Sequence, residues 1–169
     1  MFSFKGDITL FHVSAHKFVV HGIDNVKLAD EILKTQQRIS NNPITTLFED
    51  TVFDPQPESE GRRLLDLLAV KFTQYNLVIN DQWSHIHQPL ESTDLHNHQP
   101  HINLFAFVYY VQVPTNAGIL AFEFENGALA TIHPVVGELY MFPAWVKHKV
   151  SKNLSSGIRI SVSGNLVGA

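Results

Sequence analysis

A mainly β fold, with two helices ahead of it, is what this 169-residue sequence predicts. Three observations carry that expectation. From Leu77 onward the chain breaks into short runs rich in Val, Ile, Phe and Tyr, such as "INLFAFVYYVQV", "GILAFEFE", "GELYMF" and "IRISVSGN". Stretches with turn chemistry, "PTNAG", "ENG", "VVG", "FPAW" and "NLSSG", separate the runs. In "AFEFE" and "IRISVS" apolar and polar residues alternate, the period of half-buried strands. Many short strands at regular spacing indicate a β-sandwich or barrel.

The elements follow in order. "DITLFHV" is short and apolar and reads as a strand. "NVKLADEILKTQQRI" carries Val26, Leu28, Ile32 and Leu33 near helical spacing, with Asn25 as its cap. "NNPITTLFEDTVFDPQPESEG" is rich in Asn, Pro and acids and reads as a long surface loop, either a lid or a plain connection. "EGRRLLDLLAVKFTQYN" is a second helix with Leu64, Leu65, Leu67, Leu68, Val70 and Phe72 as apolar positions, ended by Asn76. The β runs then begin with "LVINDQWSHIHQ". The expected organisation is one domain over 1–169, helical to about residue 76 and β from about 77 to 167.

Composition narrows the function classes. The chain is 44% hydrophobic and 17% charged, enough apolar content for a packed core. A formal net charge of −4, with acids and bases interspersed, lacks the basic stripe of a nucleic-acid binder. No cysteine is present, so disulfides and thiolate zinc sites are impossible and a cytoplasmic setting is expected (host cytoplasm if the source is viral). No signal peptide or membrane span is read at the N-terminus. A homodimer is the commonest assembly for a small soluble chain.

Ten histidines stand against twelve lysines and arginines. "DLHNHQPH" holds His96, His98 and His101, and His148 lies far downstream in "FPAWVKHKV". On a strand, residues two apart share a side, so His96 and His98 can meet one metal if a third ligand comes from another strand. His148 is the candidate for it, and neutral imidazole suits iron(II) or zinc. His85 and His87 repeat the same spacing, line the same cavity or lie on the surface, and show that spacing alone does not discriminate. In "IRISVSGN", Arg159 and Ser161 share one strand face, and Ile158, Ile160 and Val162 the other. Facing inward, Arg159 must find an anion, and its planar fork suits a carboxylate. Facing outward, it is a solvated surface charge.

His-x-His, then "FVYYVQVP", "GILAFEF", "GELYMFPAWVKHKV" and "IRISVSGN" together resemble the iron(II)- and 2-oxoglutarate-dependent oxygenases, most of all the small bacterial and phage branch related to prolyl hydroxylases. The resemblance spans Trp83 to Asn165, and the order of the motifs is its specific part. It implies a double-stranded β-helix, or jelly roll, with the N-terminal helices packed on one sheet. It implies Fe(II) as metal, 2-oxoglutarate as cosubstrate and O2 as oxidant, with hydroxylation of a peptide or small-molecule substrate and release of succinate and CO2. His96 matches the first histidine of the family's His-x-Asp motif, and His148 the distal histidine. His98 falls where most members carry aspartate, although this branch often has His-x-His. Arg159 matches the arginine for the far carboxylate of 2-oxoglutarate, Ser161 completes an Arg-x-Ser pattern, and Tyr110 matches a tyrosine that bonds the same carboxylate. No side-chain general base or nucleophile is needed.

The departure at His98 leaves three neutral ligands where the usual facial triad has a carboxylate. If His98 does not ligate, Asp94, His101 or Glu123 are the alternatives. Phe105, Phe107, Tyr109, Phe122 and Phe124 either shape the cavity or form ordinary core. Trp145 either sits at the mouth or packs. Two other function classes compete: a cupin-like three-histidine metal protein that does not use 2-oxoglutarate, and a non-catalytic β-sandwich binding module. Arg159 and Ser161 separate the oxygenase from the cupin, which has no need of an inward arginine on the last strand, and the binding module predicts neither a tight metal nor a cavity. The substrate is not legible.

Overall fold

The computed structural model describes residues 1–10, 13–40, 50–124 and 127–169. Its elements run β1 (Phe2–Leu10), β2 (Val13–Val20), α1 (Asn25–Ser40), β3 (Asp50–Val52), α2 (Glu60–Thr73), β4 (Leu77–His87), β5 (Thr93–His96), β6 (Phe105–Gln112), β7 (Leu120–Glu123), β8 (Leu129–Ile132), β9 (Glu138–Pro143), β10 (Lys147–Val150) and β11 (Arg159–Gly168). The strands form two antiparallel sheets, a larger one ordered β1-β2-β9-β6-β11-β4-β3 and a smaller one ordered β5-β10-β7-β8. This is the predicted mainly β jelly roll, with α1 packed on β6, α2 on β4, and the helices on each other. Among the described residues, no helix is long and apolar enough to cross a membrane.

β6, near the centre of the larger sheet, is buried on both faces, which explains its nearly unbroken apolar run. Phe107, Tyr109 and Val111 point to the helices, where they meet Phe18, Leu28, Ile32, Leu64, Leu68 and Phe72. Ala106 and Tyr110 point the other way, into a second cluster between the sheets with Leu120, Phe122, Tyr140 and Phe142. The same alternation divides β11. Ile160 and Val162 join the helix-side core, while Arg159, Ser161 and Ser163 line a cavity between the sheets.

The helices are anchored by polar contacts at their starts. Asp24, rather than Asn25, caps α1: its Oδ1 accepts from the backbone N–H of Val26 and Lys27 at 3.1 Å each. Asn25 is the first helical residue, and its side chain instead accepts from the Tyr109 hydroxyl at 2.8 Å. Ser59 caps α2 through Arg62 N–H. The Glu31 carboxylate of α1 accepts from the N–H groups of Glu60 and Gly61, at 3.1 Å each, placing negative charge at the positive end of α2. Asn76, at φ 56°, turns the chain from α2 into β4, a left-handed conformation that Asn tolerates.

Several expectations are corrected. "DITLFHV" is not one strand: its first residues end β1, which pairs with β2 as a hairpin. Val26 and Val70 were placed on apolar helix faces, yet they are 83% and 65% exposed, because each falls one position off the buried stripe. The long "loop" contains β3, which extends the sheet beside β4. The lid reading of that segment falls largely on 41–49, outside the described residues.

Gly164 lets β11 lie between its neighbours. A Cβ there would stand 2.4 Å from the Asp81 carbonyl oxygen and 2.6 Å from a Phe107 ring carbon. Gly164→Ala is therefore expected to lower stability by about 1–3 kcal/mol, as overpacking does. Chemical denaturation of the two proteins checks this, and an unchanged midpoint would show that the sheet relaxes freely at that point.

Candidate active site

The site is assembled by three strand pairings. β10 pairs with β5 so that His148 faces His96 directly across the ladder. β11 pairs with β4 so that Arg159 faces His87 and Ser161 faces His85. β11 also pairs with β6, which sets Tyr110 opposite Ser161. Residues directly opposite in an antiparallel pair share a face, so one cavity receives side chains from both sheets. Its walls include Trp83, His85, His87, Thr93, His96, His98, Tyr110, Phe142, His148, Arg159 and Ser161. Its volume of about 80 Å³ is several times the roughly 10–15 Å³ that one buried water needs on the same measure.

His96, His98 and His148 bring one ring nitrogen each to within 4.8 Å of one another, the group of metal-ligating side chains found among the described residues. The means of convergence differs from expectation. His96 is the last residue of β5, and His98 lies beyond the strand in a turn. That turn is held by His98 N–H donating to the Ala144 carbonyl at 2.9 Å and by Asn103 Nδ2 donating to the His98 carbonyl at 2.9 Å. The three rings then close on one another, at centroid separations of 4.3 Å for His96–His148, 5.2 Å for His96–His98 and 4.9 Å for His98–His148.

The donor set fits a first-row metal. Nδ1 of His96 lies 2.8 Å from the Asp94 carbonyl oxygen, and Nδ1 of His148 lies 3.1 Å from that of Val146. A carbonyl only accepts, so both Nδ1 atoms carry the proton and both Nε2 lone pairs are free to ligate, the usual arrangement of metal-bound histidine. Nε2 of His98 and Nε2 of His148 stand 3.2 Å apart. Two nitrogens sharing an ion at about 2.0–2.1 Å are separated by about that much. Burial, with His96 and His98 beside it, lowers the His148 pKa to about 3, so its ring is neutral, as a ligand must be. Aromatic side chains wall the cluster. Trp83 stacks on His98 at 5.7 Å, and Phe142 stands edge-on to His148 at 4.8 Å.

The alternative ligands lie elsewhere. His101 is exposed, Glu123 is paired with Lys149 at 3.2 Å, and Asp94 contributes its carbonyl to His96. Of the aromatic residues, Phe107 and Tyr109 are helix-side core, with Phe105 packed against it, and Phe122 and Phe124 belong to the cluster between the sheets. Trp145 is 53% exposed and does not line the cavity.

Arg159 is 1% exposed. Its Nη1 donates to the Ala117 carbonyl at 2.9 Å, and its Nε is buried without a partner. Gly118, at φ 89°, allows the tight turn that presents that carbonyl: a Cβ there would be 2.4 Å from the Ser151 carbonyl oxygen. Burial pulls the Arg159 pKa down, against a smaller opposing effect of Tyr110. Burial likewise pushes the Tyr110 hydroxyl well above its ordinary range, so it remains a neutral donor. A cationic fork and a neutral phenol, with the Ser161 hydroxyl, thus share one cavity with the three imidazoles.

Trp83 and Thr93 line this site although the sequence reading gave them no role there, and His85 and His87, read as lining the cavity or lying on the surface, line it. The signal was present as the period of two in Trp83, His85 and His87. Which face of β4 looks inward becomes visible only through its register with β11.

Comparison with known proteins agrees with this geometry. A family model described as putative 2OG-Fe(II) oxygenase matches residues 123–165, the segment that contains His148 and Arg159. None of the curated proteins matches the chain. Among solved structures, a prolyl-4-hydroxylase from Pseudomonas putida is similar at a TM-score of 0.62 and 17% identity, covering 92% of this chain and 88% of the other. A prolyl hydroxylase from Trichoplax adhaerens, solved with a hypoxia inducible factor peptide fragment, is similar at 0.64 and 11%, covering 85% and 78%. The non-heme alpha ketoglutarate dependent epimerase SnoN from nogalamycin biosynthesis is similar at 0.62 and 14%, covering 92% and 78%. At these identities the likeness is one of fold.

His87 gives the cavity an acid-sensitive component. Burial, then Arg159 and His85, lower its pKa from the usual 6.5 to about 2. Between those values the unfolded chain takes up a proton that the folded chain refuses. Stability therefore falls as pH drops below about 6.5, by up to about 1.4 kcal/mol per pH unit from this residue. His87→Leu is expected to lose less stability than the parent between pH 7 and pH 5 in denaturant titrations. Parallel pH profiles would contradict a neutral buried imidazole.

Proposed function

We infer that this chain is a 2-oxoglutarate- and iron(II)-dependent oxygenase that hydroxylates a C–H bond of a peptide or small-molecule substrate, a reading supported by its matched segment and its fold. One 2-oxoglutarate and one O2 would be converted to succinate and CO2, with the second oxygen atom passing to the substrate as a hydroxyl group. The observation that carries this reading is the pairing, in one cavity, of three convergent imidazoles with a buried arginine whose Nε has no partner. A cupin-like three-histidine centre gives no reason to bury that cation. A surface binding module gives no reason for either feature.

In this reading residues 1–169 act as one domain, and His96, His98 and His148 hold Fe(II) through their Nε2 atoms. The bound metal supplies the activation of O2 and the chelation of the 2-oxo acid. The protein's own residues do the rest. The backbone carbonyls of Asp94 and Val146 fix the tautomers of two ligands. Arg159 binds the far carboxylate of 2-oxoglutarate by its free guanidinium edge, with the hydroxyls of Tyr110 and Ser161 as further donors. Three neutral ligands leave the full charge of the metal in place, so the dianionic cosubstrate provides the compensation that an aspartate would otherwise share. Trp83, Phe142 and Phe122 exclude water from the imidazoles and leave no oxidisable thiol nearby, the chain having no cysteine.

Succinate formation by the anaerobically loaded enzyme, started with oxygen, tests the reaction directly. Arg159→Ala is expected to raise the 2-oxoglutarate requirement by tens to thousands of fold, since breaking a buried charge pair costs about 2–5 kcal/mol. An unchanged requirement would remove the cosubstrate assignment. His98→Ala is expected to weaken iron(II) binding by at least about tenfold, and His98→Asp to retain it, in competition with a chelator of known affinity. Equal affinity of the parent and His98→Ala would strike His98 from the ligand set.

A further inference from the structure

His87 faces Arg159 across the β4–β11 ladder and is 2% exposed. Its Nε2 lies 2.8 Å from the Thr93 hydroxyl, and its Nδ1 is buried with no hydrogen-bond partner. The imidazole of His85 stacks flat against it, with centroids 3.9 Å apart and planes 3° from parallel, which fixes the plane of the ring. Two orphaned nitrogens, His87 Nδ1 and Arg159 Nε, therefore come from residues paired across one ladder and lining one cavity. A buried donor without a partner is costly, and a ligand that enters the cavity is one way to satisfy it.

We propose that His87, oriented by Thr93, is a second binding residue for the far carboxylate of 2-oxoglutarate, donating from Nδ1 beside Arg159. This deepens the oxygenase reading and rests on it. The chemistry follows from the two tautomers of a neutral imidazole. When the Thr93 hydroxyl donates to Nε2, Nδ1 carries the proton and is a donor. When Nε2 donates to Thr93, Nδ1 is a bare acceptor that repels an anion. An ionised carboxylate only accepts, so it selects the first state, and Thr93 can supply it because a hydroxyl both donates and accepts. The nearby guanidinium and burial keep the ring uncharged, so the pair reads hydrogen-bonding character rather than adding a second positive charge. A 2-oxo acid that ends in methyl leaves both orphaned nitrogens unpaired. Sites built around hydrogen bonds reject such analogues strongly. His87 and Thr93 thus make the cavity selective for a dicarboxylic 2-oxo acid over a monocarboxylic one of equal length.

Isothermal titration of the iron(II)-loaded protein without oxygen, with 2-oxoglutarate and with 2-oxopentanoate, tests this. His87→Leu is expected to weaken 2-oxoglutarate binding by about 10- to 100-fold, the range for a hydrogen bond to a charged group, and to change the weak binding of 2-oxopentanoate by less than about threefold. His87→Asn, whose amide nitrogen takes roughly the place of Nδ1, should recover most of the affinity, and His87→Gln should not. Thr93→Val should weaken 2-oxoglutarate alone, by about three- to tenfold. Equal loss of both ligands in His87→Leu, or parental affinity in both His87→Leu and Thr93→Val, would overturn the assignment. If His87→Leu fails to fold, the contrast between the Asn and Gln variants decides the matter. A parent that does not bind 2-oxoglutarate refutes the oxygenase reading itself. A parent that binds it and depends on Arg159 but not on His87 refutes only the role of His87.

Discussion

A guanidinium with almost no access to water sits between the two sheets, and its need for electron-rich partners orders much of what surrounds it. Arg159 has one carbonyl, that of Ala117, and several neutral polar neighbours, and among the described residues no carboxylate lines its cavity. A buried cation left in that condition is expensive. The structure surrounds it with a glycine-dependent turn that presents the carbonyl, a phenol kept neutral by its own burial, and an imidazole kept neutral by burial and by the cation's proximity. A negatively charged guest in the cavity would supply the counter-charge that these neutral groups do not.

The rigidity of that arrangement comes from the other face of the same strands. β4, β6 and β11 form the middle of the larger sheet, and their outward residues interlock with α1 and α2. Ile160 and Val162 alternate with Arg159, Ser161 and Ser163, so the inward polar side chains of β11 are interleaved with apolar anchors. The helices serve the site without touching it. They clamp the back of the sheet, and Glu31 and Asn25 bind the two helices and the sheet into one polar-tied layer. A shift of one residue in β11 would exchange the two faces and send Arg159 into the helices.

Much of this was legible in the residues. The period of two in "IRISVS" separated Arg159 and Ser161 from Ile160 and Val162, and the structure keeps that division. The β runs and both helices emerged from apolar spacing and turn chemistry. Other features lay beyond any local pattern. His98 and His148 are 50 positions apart, and they meet because β5 pairs with β10 and the His98 N–H bonds to the Ala144 carbonyl. His96 and His98 converge because Ala144 and Asn103 hold the segment after β5, so the strand-face rationale for their spacing was wrong although the rings do come together. Asp24 and Asn25 are both capping types, and composition could not rank them. The hairpin of β1 and β2 was read as a single strand because only its apolar end stood out. On β4, Trp83, His85 and His87 showed their period but not which side of the sheet was the inside.

The position of β5 has a consequence for how the cluster is held. β5 is four residues long and lies at the border of the smaller sheet, bonded to β10 alone. His148 sits on the inner neighbour, fastened on both sides, and His98 is pinned by two backbone contacts. Short border strands are where native proteins open at least cost. Of the three imidazoles, that of His96 is therefore tied to the fold through a single neighbouring strand, while those of His98 and His148 each have two points of attachment.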